Sequence, residues 1–191
     1  MQRTPVLSVL GLAAAGLVVD DTAEARSVAV TGAVVQMVSH GLVTAALFLL
    51  AGSMYARAKT YNIDSYGGLA APAPRYTVLF AVAAFASLGL PGLSGFIAEF
   101  QIFAGSIAVA PVTAIGLVGI LITAALFLRA FQQVFFGPTQ GHSRGFSDLH
   151  GRELWSIGPL LALSLFIGVL PRTLLDVIVP ASAALVELVG R

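Results

Sequence analysis

Residues 76–109 read YTVLFAVAAFASLGLPGLSGFIAEFQIFAGSIAV, thirty-four positions with one charged side chain, Glu99. A helix needs about 20 apolar residues to cross a hydrocarbon core roughly 30 Å thick, so the run is too long for one straight crossing. Its middle, Gly89-Leu90-Pro91-Gly92-Leu93-Ser94-Gly95, is where it must give. Pro91 lacks an amide N–H and disfavours a helical conformation at Leu90, and Gly89, Gly92 and Gly95 loosen the backbone around it. The stretch predicts a membrane helix interrupted between about Gly89 and Gly95. Backbone groups freed by such a break are tolerated only where protein or a water-filled cavity satisfies them.

The rest of the chain agrees with a membrane reading. Of 191 residues, 58% are apolar and 10% are charged, and mean hydropathy is +0.94. A soluble domain has roughly 45–50% apolar and about 25% charged residues. Ten cations and nine anions cannot coat a water-facing surface of this size. A soluble enzyme, a disordered tail and a nucleic-acid binder are thereby excluded, and a net charge of +1 offers no field for an acidic partner. The fold class is all-α integral membrane, one transmembrane domain over 1–191 with about five crossings. Apolar runs at 5–19, 27–55, 76–109, 111–136 and 154–170 supply them. A sixth run, 173–189, carries Asp176, Pro180 and Glu187 and is expected to lie at the interface or extend the fifth helix.

Loop charges suggest an orientation. With the N-terminus cytoplasmic, the inner segments hold Arg3, Arg57, Lys59, Arg75, Arg144 and Arg152, and the outer ones Arg26, Arg172 and Arg191. Six cations against three favour N-in by the positive-inside rule, and five crossings put the C-terminus outside. The acidic Asp20-Asp21-Thr22-Ala23-Glu24 loop then falls outside. A rival reading takes Arg3, the first apolar run and Ala23-Glu24-Ala25 as a secretory signal with its cleavage site, with two aspartates awkwardly placed between them.

The chemistry must come from few groups. There is no Cys, and His40, His142 and His150 follow no metal-ligand spacing. Nucleotide-binding glycine loops and a nucleophile elbow are also missing from the sequence. Three ionisable residues fall within apolar spans: His40, Glu99 and Arg129. A charge at bilayer centre costs about 2.5–3.5 kcal/mol on insertion scales, which makes each a candidate for a proton or ion path. Glu99 stands one turn beyond the break, the arrangement transporters use for ion sites, and partial desolvation lets a carboxyl exchange protons near neutral pH. Its structural alternative is a hydrogen bond to the broken backbone. Gln36, His40 and Thr44 recur at i, i+4 and i+8 on one helical face, flanked by Gly32, Ala33, Gly41 and Ala45, which favour close helix packing. An imidazole relays protons near neutral pH, or bonds between helices as a neutral group. Arg129 lies about two turns from Gly137-Pro138 and reads best as snorkelling to the inner surface. Residues 116, 119, 124 and 125 read as packing positions, and the stretch from His142 to Glu153 as a solvated loop.

The stretch Val38-Ser39-His40-Gly41-Leu42-Val43-Thr44-Ala45-Ala46-Leu47-Phe48-Leu49-Leu50-Ala51-Gly52 resembles the signature of the antiporter-like subunits of respiratory complex I. Leu90-Pro91-Gly92-Leu93-Ser94-Gly95-Phe96-Ile97-Ala98-Glu99-Phe100 resembles their broken helix, and Asp64-Ser65-Tyr66-Gly67-Gly68-Leu69 their connecting loop. Order and spacing of all three agree over nearly the whole chain. The L- and N-type subunits typically carry Lys after the break and in the earlier helix, where this chain has Glu99 and Thr44, so the resemblance points to the M-type, in its C-terminal part.

The resemblance implies a proton-translocating membrane-arm subunit, in fragment or split form, of an NADH–quinone oxidoreductase. Glu99 would be the terminal proton-exchange carboxylate and His40 a member of the central hydrophilic axis. Gln36, Thr44, Gly89, Pro91, Gly92 and Gly95 would be supporting polar or helix-break positions. No redox site, metal or cofactor is expected on this chain; NADH, FMN, iron–sulfur clusters and quinone would belong to partner subunits. Expected partners are other complex I membrane subunits, including one supplying the family's N-terminal helices, and the expected location is a bacterial plasma membrane. Family members have about fourteen crossings and a central lysine, whereas the only Lys here is Lys59, in a loop. A related membrane hydrogenase or cation/proton antiporter component is the alternative within transport. A non-conducting structural or assembly remnant is the alternative outside it.

Overall fold

A computed structural model describes residues 3–17 and 22–189. Seven helices make up the body: α1 (Arg3–Gly16), α2 (Ala23–Ala58), α3 (Pro74–Ser87), α4 (Ser94–Val109), α5 (Gly116–Phe135), α6 (Gly151–Val169) and α7 (Arg172–Val189). A 3₁₀ turn over Pro111–Ile115 leads into α5, so the fourth apolar run is not α-helical from its first residue. Strands β1 (Tyr66–Gly67) and β2 (Gln140–Gly141) pair antiparallel and tie two loops together. The acidic pair Asp20-Asp21 and Arg191 lie outside the described residues.

Among the described residues, three stretches are long and apolar enough to cross a membrane unaided: Ala23–Ala58, Pro111–Phe135 and Gly151–Val169. At 1.5 Å per residue, the 36 residues of α2 reach about 54 Å and outrun the hydrocarbon core. Helices α3 and α4, 14 and 16 residues long, reach about 21 and 24 Å. Neither spans the core alone, and they cross it only in series.

Helix α2 is the axis of the bundle. Going from its C-terminal end towards its N-terminal end, α3 and then α4 run alongside it. The Tyr76 hydroxyl donates to the Leu50 carbonyl at 2.9 Å, Val43 clusters with Ala86 and Leu93, and Val35 clusters with Ala98. Helices α6 and α7 follow the same course. Glu153 meets Arg57, Ile178 joins the cluster of Val35, and Val186 packs on Val30. Pro171 cannot donate into the last turn of α6, and the chain restarts as α7 at Arg172. The run at 173–189 thus continues the path of the fifth helix as a separate helix packed on α2.

Contacts between α2 and α4 are made by backbone. A Cβ on Gly32 would stand 2.6 Å from the Ile102 amide and 2.9 Å from the Ala98 carbonyl; one on Gly105 would strike the Ala25 carbonyl. Gly11 brings α1 equally close to Ala29. Of the small residues flanking the His40 face, Gly32 and Ala33 are in contact, but Gly41 faces open space. That expectation fails because 41 lies around the helix from the α4 seam. Of the other expected packing positions, Gly119 and Ala124 are half-buried and Ala125 is exposed, on a helix that buries Val134 and Phe135 and turns Leu121, Ile122 and Leu126 outward. Gly116 at its start approaches Phe103, and Ile120 packs on the cluster of Ile102 and Phe103.

The connection 136–150 departs most from expectation. Instead of a solvated loop, it buries Ser143, Phe146 and Leu149. Arg57 explains this: its Nη1 and Nη2 donate to Glu153 Oε1 and Oε2 at 2.8 and 2.6 Å, its Nε donates to the Ser147 carbonyl at 2.8 Å and its Nη2 to that of Asp148 at 3.1 Å. Asp148 in turn caps α3, accepting from the Arg75 and Tyr76 amides at 3.0 and 2.9 Å. Ala73, at the cap position, has no side chain for that task. Arg26, expected in an outer loop, sits in the first turn of α2 with 3% of its surface exposed.

Candidate functional site

The helix interruption is held open by glycine. Helix α3 ends at Ser87, α4 begins at Ser94, and Gly89 and Gly92 take φ of +69° and +93°, a region that other residues enter only under strain. Leu93 N–H closes a turn onto the Leu90 carbonyl at 3.1 Å, and Phe96 N–H one onto Leu93 at 3.1 Å. Gly95 packs its Cα on the carbonyl of Ala86, leaving no room there for a Cβ.

Glu99 lies one helical turn beyond Gly95, and its carboxylate folds back onto the break. A Cβ built on Gly89 would stand 2.6 Å from Glu99 Oε2 and 3.1 Å from its Cδ. The hollow left by the missing side chain at 89 therefore holds the acid. Glu99 is half-buried. A carboxylate of one helix against the unwound end of another is the chemistry expected of an ion or proton site.

His40 is also half-buried and is bonded along its own helix: its Nδ1 lies 2.9 Å from Thr44 Oγ1. The i, i+4 spacing brings these two together as expected. Gln36 continues the row one turn earlier, 5% exposed, with its Oε1 lacking a hydrogen-bond partner among the described residues. A buried acceptor without a partner costs about 1–3 kcal/mol. Gln101 Oε1 and Ser106 Oγ on α4 are in the same position. Pro91 and Gly92 belong to the interruption with Gly89, whereas Arg129 is exposed on α5.

Sequence reasoning missed a chain of three hydroxyls. Ser39 Oγ of α2 lies 2.7 Å from Ser94 Oγ of α4, which lies 2.8 Å from Ser164 Oγ of α6. All three are buried, Ser94 and Ser164 completely. The available signal was position: Ser94 opens a helix after a Gly/Pro break, where an N-terminal cap is the usual reading. It caps nothing and binds two neighbouring helices instead. Among the described residues, no group of three or more His, Asp or Glu side chains converges as a metal site.

The model of the NADH:quinone oxidoreductase/Mrp antiporter transmembrane family matches residues 7–126. NADH-quinone oxidoreductase subunit M of Rickettsia prowazekii (strain Madrid E) is 38% identical over 152 residues, which are 78% of this chain and 31% of that protein. The subunit M of Mycobacterium tuberculosis (strain ATCC 25618 / H37Rv) is 37% identical over 162 residues, 84% of this chain and 29% of that protein. The chain spans about a third of the length of these curated relatives. A chain in a structure of respiratory complex I from Thermus thermophilus with bound NADH superposes with TM-score 0.82 at 31% identity, over 98% of this chain and 38% of that one. Fold and sequence agree, and the chain belongs to the NADH:quinone oxidoreductase/Mrp antiporter transmembrane family.

Proposed function

We propose that this chain moves protons as part of the membrane arm of an NADH–quinone oxidoreductase, with Glu99 as the exchanging carboxylate and His40 as a relay group on α2. One observation carries the reading: the Glu99 carboxylate occupies the hollow at Gly89 inside a helix interruption. A carboxyl there gains a proton from one side and yields it to the other without the backbone having to unwind first. His40 and Thr44, hydrogen-bonded on α2, and the unpartnered carbonyl of Gln36 supply polar groups along the axis helix. On this reading the chain holds no redox group. NADH, flavin, iron–sulfur clusters and quinone belong to partner subunits, among them the remaining membrane helices, and the site is the plasma membrane of a bacterium. The N-terminus would face the cytoplasm and the C-terminus the outside, with Arg57, Lys59, Arg75, Arg144 and Arg152 on the inner face.

The test is proton translocation per NADH oxidised in vesicles holding the assembled complex. Glu99→Gln keeps size and most hydrogen bonds but cannot ionise, so translocation falls while assembly is retained. Glu99→Asp retains part of it, and His40→Ala is milder than Glu99→Gln because water replaces a relay group more readily than an acid. Parental translocation by Glu99→Gln at equal complex levels removes the assignment. Uptake driven by a sodium gradient rather than by NADH oxidation would move the chain to the antiporter branch of the family.

A further inference from the structure

The three serines meet at the first turn of α4, where Ser94 stands on a different face from Glu99. On α4, Ser94, Ala98 and Ile102 share the face turned to α2, with Ala98 and Ile102 fully buried and both touching the bare backbone at Gly32. Gly95 and Glu99, four apart, share the face turned to the end of α3, where Gly95 meets the Ala86 carbonyl and Glu99 meets Gly89. Helix α6 closes the third side. Gly168 lies against the backbone of Gly92 and Leu93 so closely that a Cβ would strike the Gly92 carbonyl. One turn before it, Ser164 reaches Ser94. The segment 88–93 thus leads into a first turn of α4 that one atom, Ser94 Oγ, ties to α2 and α6 at once.

We infer that Ser94 is the positioning residue of Glu99: the Ser39–Ser94–Ser164 hydroxyl chain fixes the start of α4 between α2 and α6, and so sets where the carboxylate stands in the hollow at Gly89. The inference rests on Glu99 being the exchanging acid. Each hydroxyl has one proton to donate and lone pairs to accept with, so three hydroxyls in a row satisfy both links when the donors run head to tail in either direction. A buried chain satisfied in this way rigidifies what it joins. Glu99 follows Ser94 by five residues within one helix, so a tilt of α4 about its first turn displaces the carboxylate directly. A displacement of about 1 Å at a reacting group can cost as much as about a hundredfold in rate.

The experiment uses the full chain in lipid vesicles for position and the assembled complex for transport. The infrared carboxyl band of Glu99 is isolated by subtracting the spectrum of Glu99→Gln. Ser94→Ala is expected to shift and broaden that band at unchanged helix content and to lower proton translocation about tenfold. Ser39→Ala and Ser164→Ala each cut one link and are expected to give smaller changes in the same direction, with the double variant matching Ser94→Ala. If Ser94→Ala does not fold, the two single variants carry the test. A Glu99 band identical to the parent's in Ser94→Ala, or in both single variants, overturns the inference and leaves the role of Glu99 standing. A shifted band with parental translocation in both Ser94→Ala and Glu99→Gln overturns the role of Glu99 instead, while its placement by Ser94 holds.

Discussion

The two halves of α2 are packed by different means. From Ala25 to Ser39 the helix meets α4 through Ala25, Ala29 and Gly32 on one side and Ala98, Ile102 and Gly105 on the other, backbone against backbone. From Val43 to Arg57 it meets α3, α6 and the loop 136–150 through large side chains. There Tyr76, Phe80, Phe131, Phe135 and Phe146 pack, stacked, tilted or edge-on, at centroid distances of 4.7–6.4 Å, and a guanidinium–carboxylate fork closes the end. Within lipid there is no hydrophobic gain in bringing helices together, so close van der Waals approach between small residues takes over. In the other half, aromatic burial and charge-assisted hydrogen bonds make the contacts. The helix interruption, Glu99 and the serine chain lie at the junction, where one mode gives way to the other.

The comparison is broken most severely at Gly32. Gly32→Leu drives a side chain into the Ile102 amide and Ala98 carbonyl, neither of which can move without shifting α4. We expect a loss of about 3 kcal/mol or more, read as a collapse of the folded yield and of the thermal midpoint in mild detergent. Parental stability would mean that the seam is looser than described. Arg57→Lys tests the other half: a single ammonium cannot reproduce the fork to Glu153 together with the carbonyls of Ser53, Ser147 and Asp148. The expected cost is about 2 kcal/mol, with early proteolytic nicking in 136–150 as its local sign. Tyr76→Phe should be the mildest, about 1 kcal/mol, since it deletes one hydrogen bond to Leu50 and keeps the aromatic stack. If Tyr76→Phe outweighs Arg57→Lys in thermal unfolding, the hydrogen bond from Tyr76 to Leu50 rather than the fork holds that end.

Much of this architecture was readable in advance because it follows from local composition. Pro91 between Gly89 and Gly92 breaks a helix wherever it occurs, and the i, i+4 spacing of His40 and Thr44 fixes their contact. What escaped notice depends on which faces meet. Nothing in Ser39, Ser94 and Ser164, separated by 55 and 70 residues, marks them as neighbours. Polar composition made residues 142–153 look solvated, yet the stretch is folded by Arg57 from 90 residues away. Gly32 and Gly41 look alike in sequence, and only the position of α4 separates a packed glycine from an idle one. For Glu99 the position was legible, but the pocket was not, because that pocket is the absence of a side chain at residue 89.

The bundle sets one continuous rod, α2, beside two jointed ones, α3–α4 and α6–α7. Their joints lie side by side, with Gly168 touching Gly92. Bending is softest where the ladder of backbone hydrogen bonds is cut, so the compliance of the molecule is concentrated in one thin layer while α2 supplies a stiff reference. Strain entering at the surface through Glu153 and Asp148 has α6 as a lever, and its far end rests on the joint beside the acid. In mechanical terms the chain is a strut with two hinges at a common height, and the Glu99 carboxylate sits on the hinge line.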